Sequence, residues 1–169
     1  MARMGAAHLA PQGGGYEPQR KFDFELQLYG VPGQEVIKLA VEKFTPPGAT
    51  NEVIELPYLN EVVKVAGQGK WDNAEVVVRD MVDQPVFSSL MAWKKLVQDP
   101  ETGNIGLAST YKKSGDLVLI GPDGADEKHY QMIGLWPSVV KGEQLDAAGG
   151  TTVFTIAMTL SCDKAIPQF

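Results

Sequence analysis

The chain has one cysteine and two histidines among 169 residues, and those shortages close off several chemistries at once. Cys162 alone cannot make an internal disulfide, so packing must hold the fold, which suits assembly in a reducing compartment. Together with His8 and His129 it gives no zinc-ligand spacing. Basic residues are also in the minority. Fifteen Lys and Arg against 21 Asp and Glu leave a formal net charge of −6, the wrong sign for a surface that grips phosphates. No stretch reaches the roughly eighteen apolar residues of a membrane helix, and "MARMGAAHLAPQGGG" lacks the continuous apolar core of a signal peptide. A soluble, cytoplasmically made chain is expected. The glycines form neither a Walker loop nor a strand-linked Gly-x-Gly-x-x-G, and no Gly-x-Ser-x-Gly elbow occurs. "GPDGADEKH" and "DPETGNIG" lack the alternating oxygen ligands and distal glutamate of an EF-hand, so both read as turns. No cofactor, metal or catalytic group is predicted.

What is present is alternation. In "KFDFELQLYG", Phe22, Phe24, Leu26 and Leu28 fall on one face and Asp23, Glu25 and Gln27 on the other, the pattern of a half-buried strand closed by a Gly-Val-Pro-Gly turn. Residues 35–44 read as a second strand with Ile37, Leu39 and Val41 together against Lys38 and Glu42. "TPPGATNE" then breaks it. "NEVVKVAG" and "NAEVVVRD" are two further strands joined through Gly67 and Gly69. "YKKSGDLVLIGPDG", "KHYQMIGLWPSVV" and "TTVFTIAMTLSCD" continue the series, with Gly-Pro-Asp-Gly as a hairpin turn and Cys162 inside the last strand as a core residue. That strand has Phe154, Ile156, Met158 and Leu160 on one face and small uncharged residues on the other.

One segment follows the helical period instead. Val86, Leu90, Trp93 and Val97 form a stripe over residues 84–98, with Asp83 as N-cap, Pro85 in the first turn, and Lys94 and Lys95 in the second half. Asp99-Pro100 ends it. The predicted architecture is an antiparallel β sandwich or barrel of about seven to eight strands with one flanking helix. Residues 1–20 are too polar and glycine-rich to order themselves. We expect them to form an arm, carrying Leu9 and Tyr16, that is ordered by packing on another subunit, ahead of a domain at 21–169.

The charges in "WDNAEVVVRD" are the candidates for chemistry. Asp72 and Glu75 have opposite parity on a strand, which separates them as a hydrolytic pair. Glu75, Arg79 and Asp80 are expected on a solvent or subunit-facing surface, with Ala74, Val76 and Val78 inward. A receptor-binding module fits regular strands and short turns less well.

The order of "ELPYLNEVVKVAG", a strand ending "VVVRD", "LMAWKKLVQDPETG", "IGLASTYKKSGDLVLIGPDG", "GLWPSVV" and "LSCDKAIP" resembles the bacteriophage tail tube family and its injection-system inner-tube relatives, over roughly Phe22 to Pro167. The resemblance implies a non-enzymatic subunit of hexameric rings that stack into a hollow conduit, with strands of neighbours joined into one lining barrel and the helix outside it. A loop at about 45–60, carrying Thr45, Pro46, Pro47, Asn51, Glu52, Leu56 and Tyr58, is implied to reach an adjacent subunit or ring. Six subunits giving about four tilted strands each would enclose a bore of about 40 Å, wide enough for a duplex about 20 Å across. An acidic or neutral lumen would pass double-stranded DNA without holding it. The implied partners are further copies of the chain, a tape measure protein, a terminator, a baseplate or tip hub and a sheath. The implied setting is a virion tail assembled in the host cytoplasm, or the inner tube of a phage-derived contractile injection system.

Overall fold

A computed structural model of the chain describes residues 21–83, 86–121, 124–145 and 152–168. Among these, nine strands and three helices follow one another: β1 (Phe24–Tyr29), α1 (Gln34–Ala40), β2 (Val41–Thr45), β3 (Ala49–Tyr58), β4 (Glu61–Trp71), β5 (Ala74–Arg79), α2 (Val86–Val97), α3 (Ala108–Tyr111), β6 (Lys113–Ile120), β7 (Asp126–Gly142), β8 (Thr155–Ser161) and β9 (Lys164–Gln168). All pairings are antiparallel. The main sheet runs β1-β6-β7-β8-β5-β2, with β9 also on β7, and β3 and β4 form a separate two-stranded ribbon.

The centre of the fold is β7, whose 17 residues serve two sets of neighbours. Its first part pairs with β6 and β9, and its second part with β8. Two extra residues turn it. Gly134 lies between the pairs Ile133–Ser114 and Leu135–Lys113, in a left-handed backbone at φ 73°. Ser138 lies between Pro137–Leu160 and Val139–Thr159. A bulge lets Met132 and Leu135, three positions apart, both point into the core, which strict alternation forbids. Pro137 is tolerated mid-strand because it stands beside the second bulge.

Each wall strand buries one parity: Leu26 and Leu28 of β1, Ala74, Val76 and Val78 of β5, and Ile156, Met158 and Leu160 of β8. Helix α2 adds Val86, Leu90 and Trp93 to the same core and also buries Val97. The Trp93 indole N–H donates to the Tyr111 carbonyl at 3.0 Å, which satisfies the polar edge of a fully buried ring. Lys94 Nζ donates to the Pro137 and Ser138 carbonyls at 3.2 and 2.8 Å, tying the helix to the second bulge.

The structure corrects several expectations. Residues 35–44 are not one strand: α1 buries Ile37 and Ala40 while Leu39 is 75% exposed, and only β2 is extended. Val31 to Gly33 turn the chain so that "QEVIKLA" can close a helix rather than continue flat. One flanking helix becomes three. The region at 45–60 is mostly strand rather than loop, and β4 runs through Gly67 and Gly69 to Trp71 instead of ending there. Cys162 is buried in the connection between β8 and β9 rather than inside a strand. At the described start of α2 the Asp80 carboxylate accepts from the Phe87 N–H at 3.2 Å, while residues 84 and 85, Pro85 among them, lie outside the described residues.

Candidate assembly interface

The β3–β4 ribbon is the part of the molecule that its own core does not explain. All ten residues of β3 are exposed, and so are nine of the eleven in β4. The ribbon prolongs the β2–β5 pair. Thr45 faces Glu75, Ala49 faces Trp71, and between them the Asp72 N–H donates to the Gly48 carbonyl at 2.9 Å. Thr50 Oγ1 donates to the Asp72 carboxylate at 3.0 Å and fastens the junction. Ten residues at about 3.4 Å each carry the tip about 34 Å from the wall.

Cross-strand pairing sorts the side chains. Ile54 with Val65, Leu56 with Val63 and Tyr58 with Glu61 share one face, apolar except for the glutamate. The reverse face has Val53 with Ala66, Glu55 with Lys64 and Pro57 with Val62; a 3.3 Å ion pair joins Glu55 to Lys64, and Lys70 pairs with Glu52 near the base. At the turn, Leu59 is 92% exposed and adopts φ 54°. A large apolar residue in the left-handed region costs about 1 kcal/mol against the residues turns prefer. A ribbon of two strands is marginal in water, and an exposed apolar face of this length marks a contact surface.

The predicted loop residues therefore divide. Thr45 ends β2, Pro46 and Pro47 lie in the link, and Asn51, Glu52, Leu56 and Tyr58 belong to β3. Sequence reasoning missed Ile54, Val63 and Val65 as members of the same surface, although "EVVKV" already had strand composition. On β5, Glu75 and Arg79 point away from the core. The Arg79 Nε donates to Glu42 Oε2 of β2 at 3.1 Å, a pair within the chain. Asp80 caps α2, as described. Leu9 and Tyr16 lie outside the described residues.

A second feature lies where the main sheet ends. Its terminal strands β1 and β2 leave between them an apolar cleft of about 380 Å³. Phe24, Phe44, Pro46, Leu117, Leu119 and Tyr130 line it, with Lys21, Glu42 and Lys43 beside them. Phe24, Phe44 and Tyr130 also pack against the core, so the cleft opens onto the protein's interior.

Elsewhere several polar groups make contacts within the fold. Among the described residues no group of three or more His, Cys, Asp and Glu could hold a metal ion. Glu25 is held below the ordinary carboxylate value by hydrogen bonds from Lys38 and then Gln27. Asp116 accepts from the Tyr29 hydroxyl at 2.8 Å and pushes that phenol upward. Burial raises the Cys162 thiol. Among the described residues no helix is long and apolar enough to cross a membrane.

No family model and no curated protein matches the sequence. Solved structures do match in fold. A chain of the PVC sheath-tube complex of an extracellular contractile injection system, in its extended state, superimposes with a TM-score of 0.70 at 15% identity, covering 98% of this chain and 99% of that one. A chain of the anti-feeding prophage tube-terminating cap gives 0.72 at 13% identity over 94% and 95%. Hcp1 from Flavobacterium johnsoniae gives 0.51 at 13% identity over 86% and 94%. At these identities the likeness is one of fold, and this chain has the antiparallel β fold of those contractile-injection and Hcp structures.

Proposed function

We propose that the chain is a structural, non-enzymatic subunit of a hollow tube, in which copies join as hexameric rings and the rings stack. The observation that carries this reading is the β3–β4 ribbon, exposed along both strands with one largely apolar face, on a fold that superimposes on chains of tube-bearing assemblies. Such a ribbon is a surface awaiting a second copy. Two neighbours with a TM-score of 0.70 come from an extracellular contractile injection system, and two more at 0.72 and 0.67 come from the cap and baseplate of the anti-feeding prophage. That favours an inner tube within a sheath, with a tail tube of a phage as the companion reading.

In either setting, repeated stacking has no inherent end. A terminator and a tape measure protein supply the length control, and a baseplate or tip hub supplies the starting ring. In the phage setting double-stranded DNA passes through a lumen that the chain's −6 charge keeps from binding it. The residues 1–20, with Leu9 and Tyr16, join the contacts between subunits, and so do Glu75 and the ribbon residues.

Negative-stain electron microscopy of the purified protein tests the proposal. Rings or tubes with sixfold symmetry are expected at high concentration. A chain that remains a monomer under crowding overturns the reading.

A further inference from the structure

The molecule has an apolar surplus and an apolar deficit, and they differ in place and shape. The surplus is the ribbon face of Ile54, Leu56, Tyr58, Val63 and Val65, all exposed. The deficit is the cleft between β1 and β2, where the core opens to solvent through Phe24, Phe44, Leu117 and Leu119. The ribbon does not fill its own cleft: it leaves the wall beside Pro46, continues the β2–β5 register outward and stays exposed along β3.

Accepting the tube reading above, we infer that the ribbon of one copy seats its apolar face in the β1–β2 cleft of the next copy. Charge agrees with this. Lys21 and Lys43 stand beside the cleft, and Glu61 lies on the apolar face near the ribbon tip. The described residues show no ion pair within the chain for Lys21, Lys43 or Glu61. Among the described residues the edges of β1 and β2 that border the cleft also carry backbone groups without a strand partner, which an incoming strand can pair. Donor and acceptor are different surfaces of one chain, so the contact is heterologous and each copy both gives and receives.

The test is cysteine pairing in the full chain. Leu56→Cys places a thiol on the ribbon and Leu119→Cys one in the cleft, while the native Cys162 is buried. Under mild oxidation the double variant is expected to give a ladder of covalent oligomers. A mixture of the two single variants is expected to stop at a covalent dimer, and neither single variant should link alone. The charge contact has its own readout: Lys43→Glu should raise the concentration needed for assembly by about tenfold, and adding Glu61→Lys should restore it. Electron microscopy of the same samples separates the two claims. Normal rings or tubes without the 56–119 link and without charge-swap rescue overturn this inference alone. Monomers without the link overturn both it and the tube reading.

Discussion

Gly134 and Gly103 share a left-handed backbone, at φ 73° and 72°, but not their surroundings. A methyl group on Gly134 would overlap the Asp163 side chain, whose carboxylate holds Lys112 at 2.7 Å, whereas Gly103 has open space. Gly103→Ala should therefore cost only the conformational term, about 1 kcal/mol. Gly134→Ala should cost about 2–4 kcal/mol, because either the β7 bulge or the Lys112–Asp163 pair must shift. Equilibrium denaturation of both variants checks the difference, and equal losses would count against the close approach. Glu25 gives a pH signature. Hydrogen bonds from Lys38 and Gln27 lower its folded value below the ordinary 4.5, against a smaller opposing effect of burial. A depressed carboxyl contributes stability that is fully present above the unfolded value and lost as pH falls through the folded one. Wild type should exceed Glu25→Gln in stability at pH 7, by a modest margin because both partners are about one-third exposed. The gap should close as pH falls below 4.5. Thermal melts across that range provide the measurement.

At the scale of elements, α2 and the β3–β4 ribbon are opposites. Trp93 is fully buried, so Trp93→Ala should cost about 3–5 kcal/mol through the lost ring and the orphaned Tyr111 carbonyl. Leu56→Asp removes an exposed side chain and should leave monomer stability within about 0.5 kcal/mol while abolishing assembly. Denaturation and light scattering on the same two proteins read the two effects apart. This contrast also explains what could be read from the chain. The Val86, Leu90, Trp93, Val97 stripe and the alternation of β1, β5 and β8 are legible because their partner is the chain's own core. Helix α1 resembles a strand in sequence because Ile37, Leu39 and Val41 happen to alternate, while its true packing pair is Ile37 and Ala40. In β3 the apolar positions Ile54, Leu56 and Tyr58 mark no core side, since among the described residues they stay exposed. Pro46 and Pro47 mark the break after β2, and the loop at 45–60 rests on the resemblance rather than on the pattern of these residues, so β3 is not read as a strand. The cleft is invisible to local pattern because it is assembled from β1, β2, β6 and β7.

For the whole molecule, charge sets the conditions of assembly. Each copy carries −6, and identical copies brought together repel through whatever the solvent does not screen. Raising ionic strength from about 10 mM to about 150 mM shortens the screening length from about 30 Å to about 8 Å. The concentration at which light scattering first reports rings or tubes should therefore fall as salt rises, and a rise would show that attractive ion pairs dominate the contact. The long strand β7 bears on a different property. It is covalently one piece, yet it is hydrogen-bonded to β6 and β9 along one part and to β8 along the other. Neither half of the sheet can slide or rotate without loading the same backbone. A pull applied through the β1 side reaches the β2 side as tension along one strand rather than as a peeling of two separate layers. Force between the two parts of the sheet is therefore expected to load β7 first, at the bends beside Gly134 and Ser138.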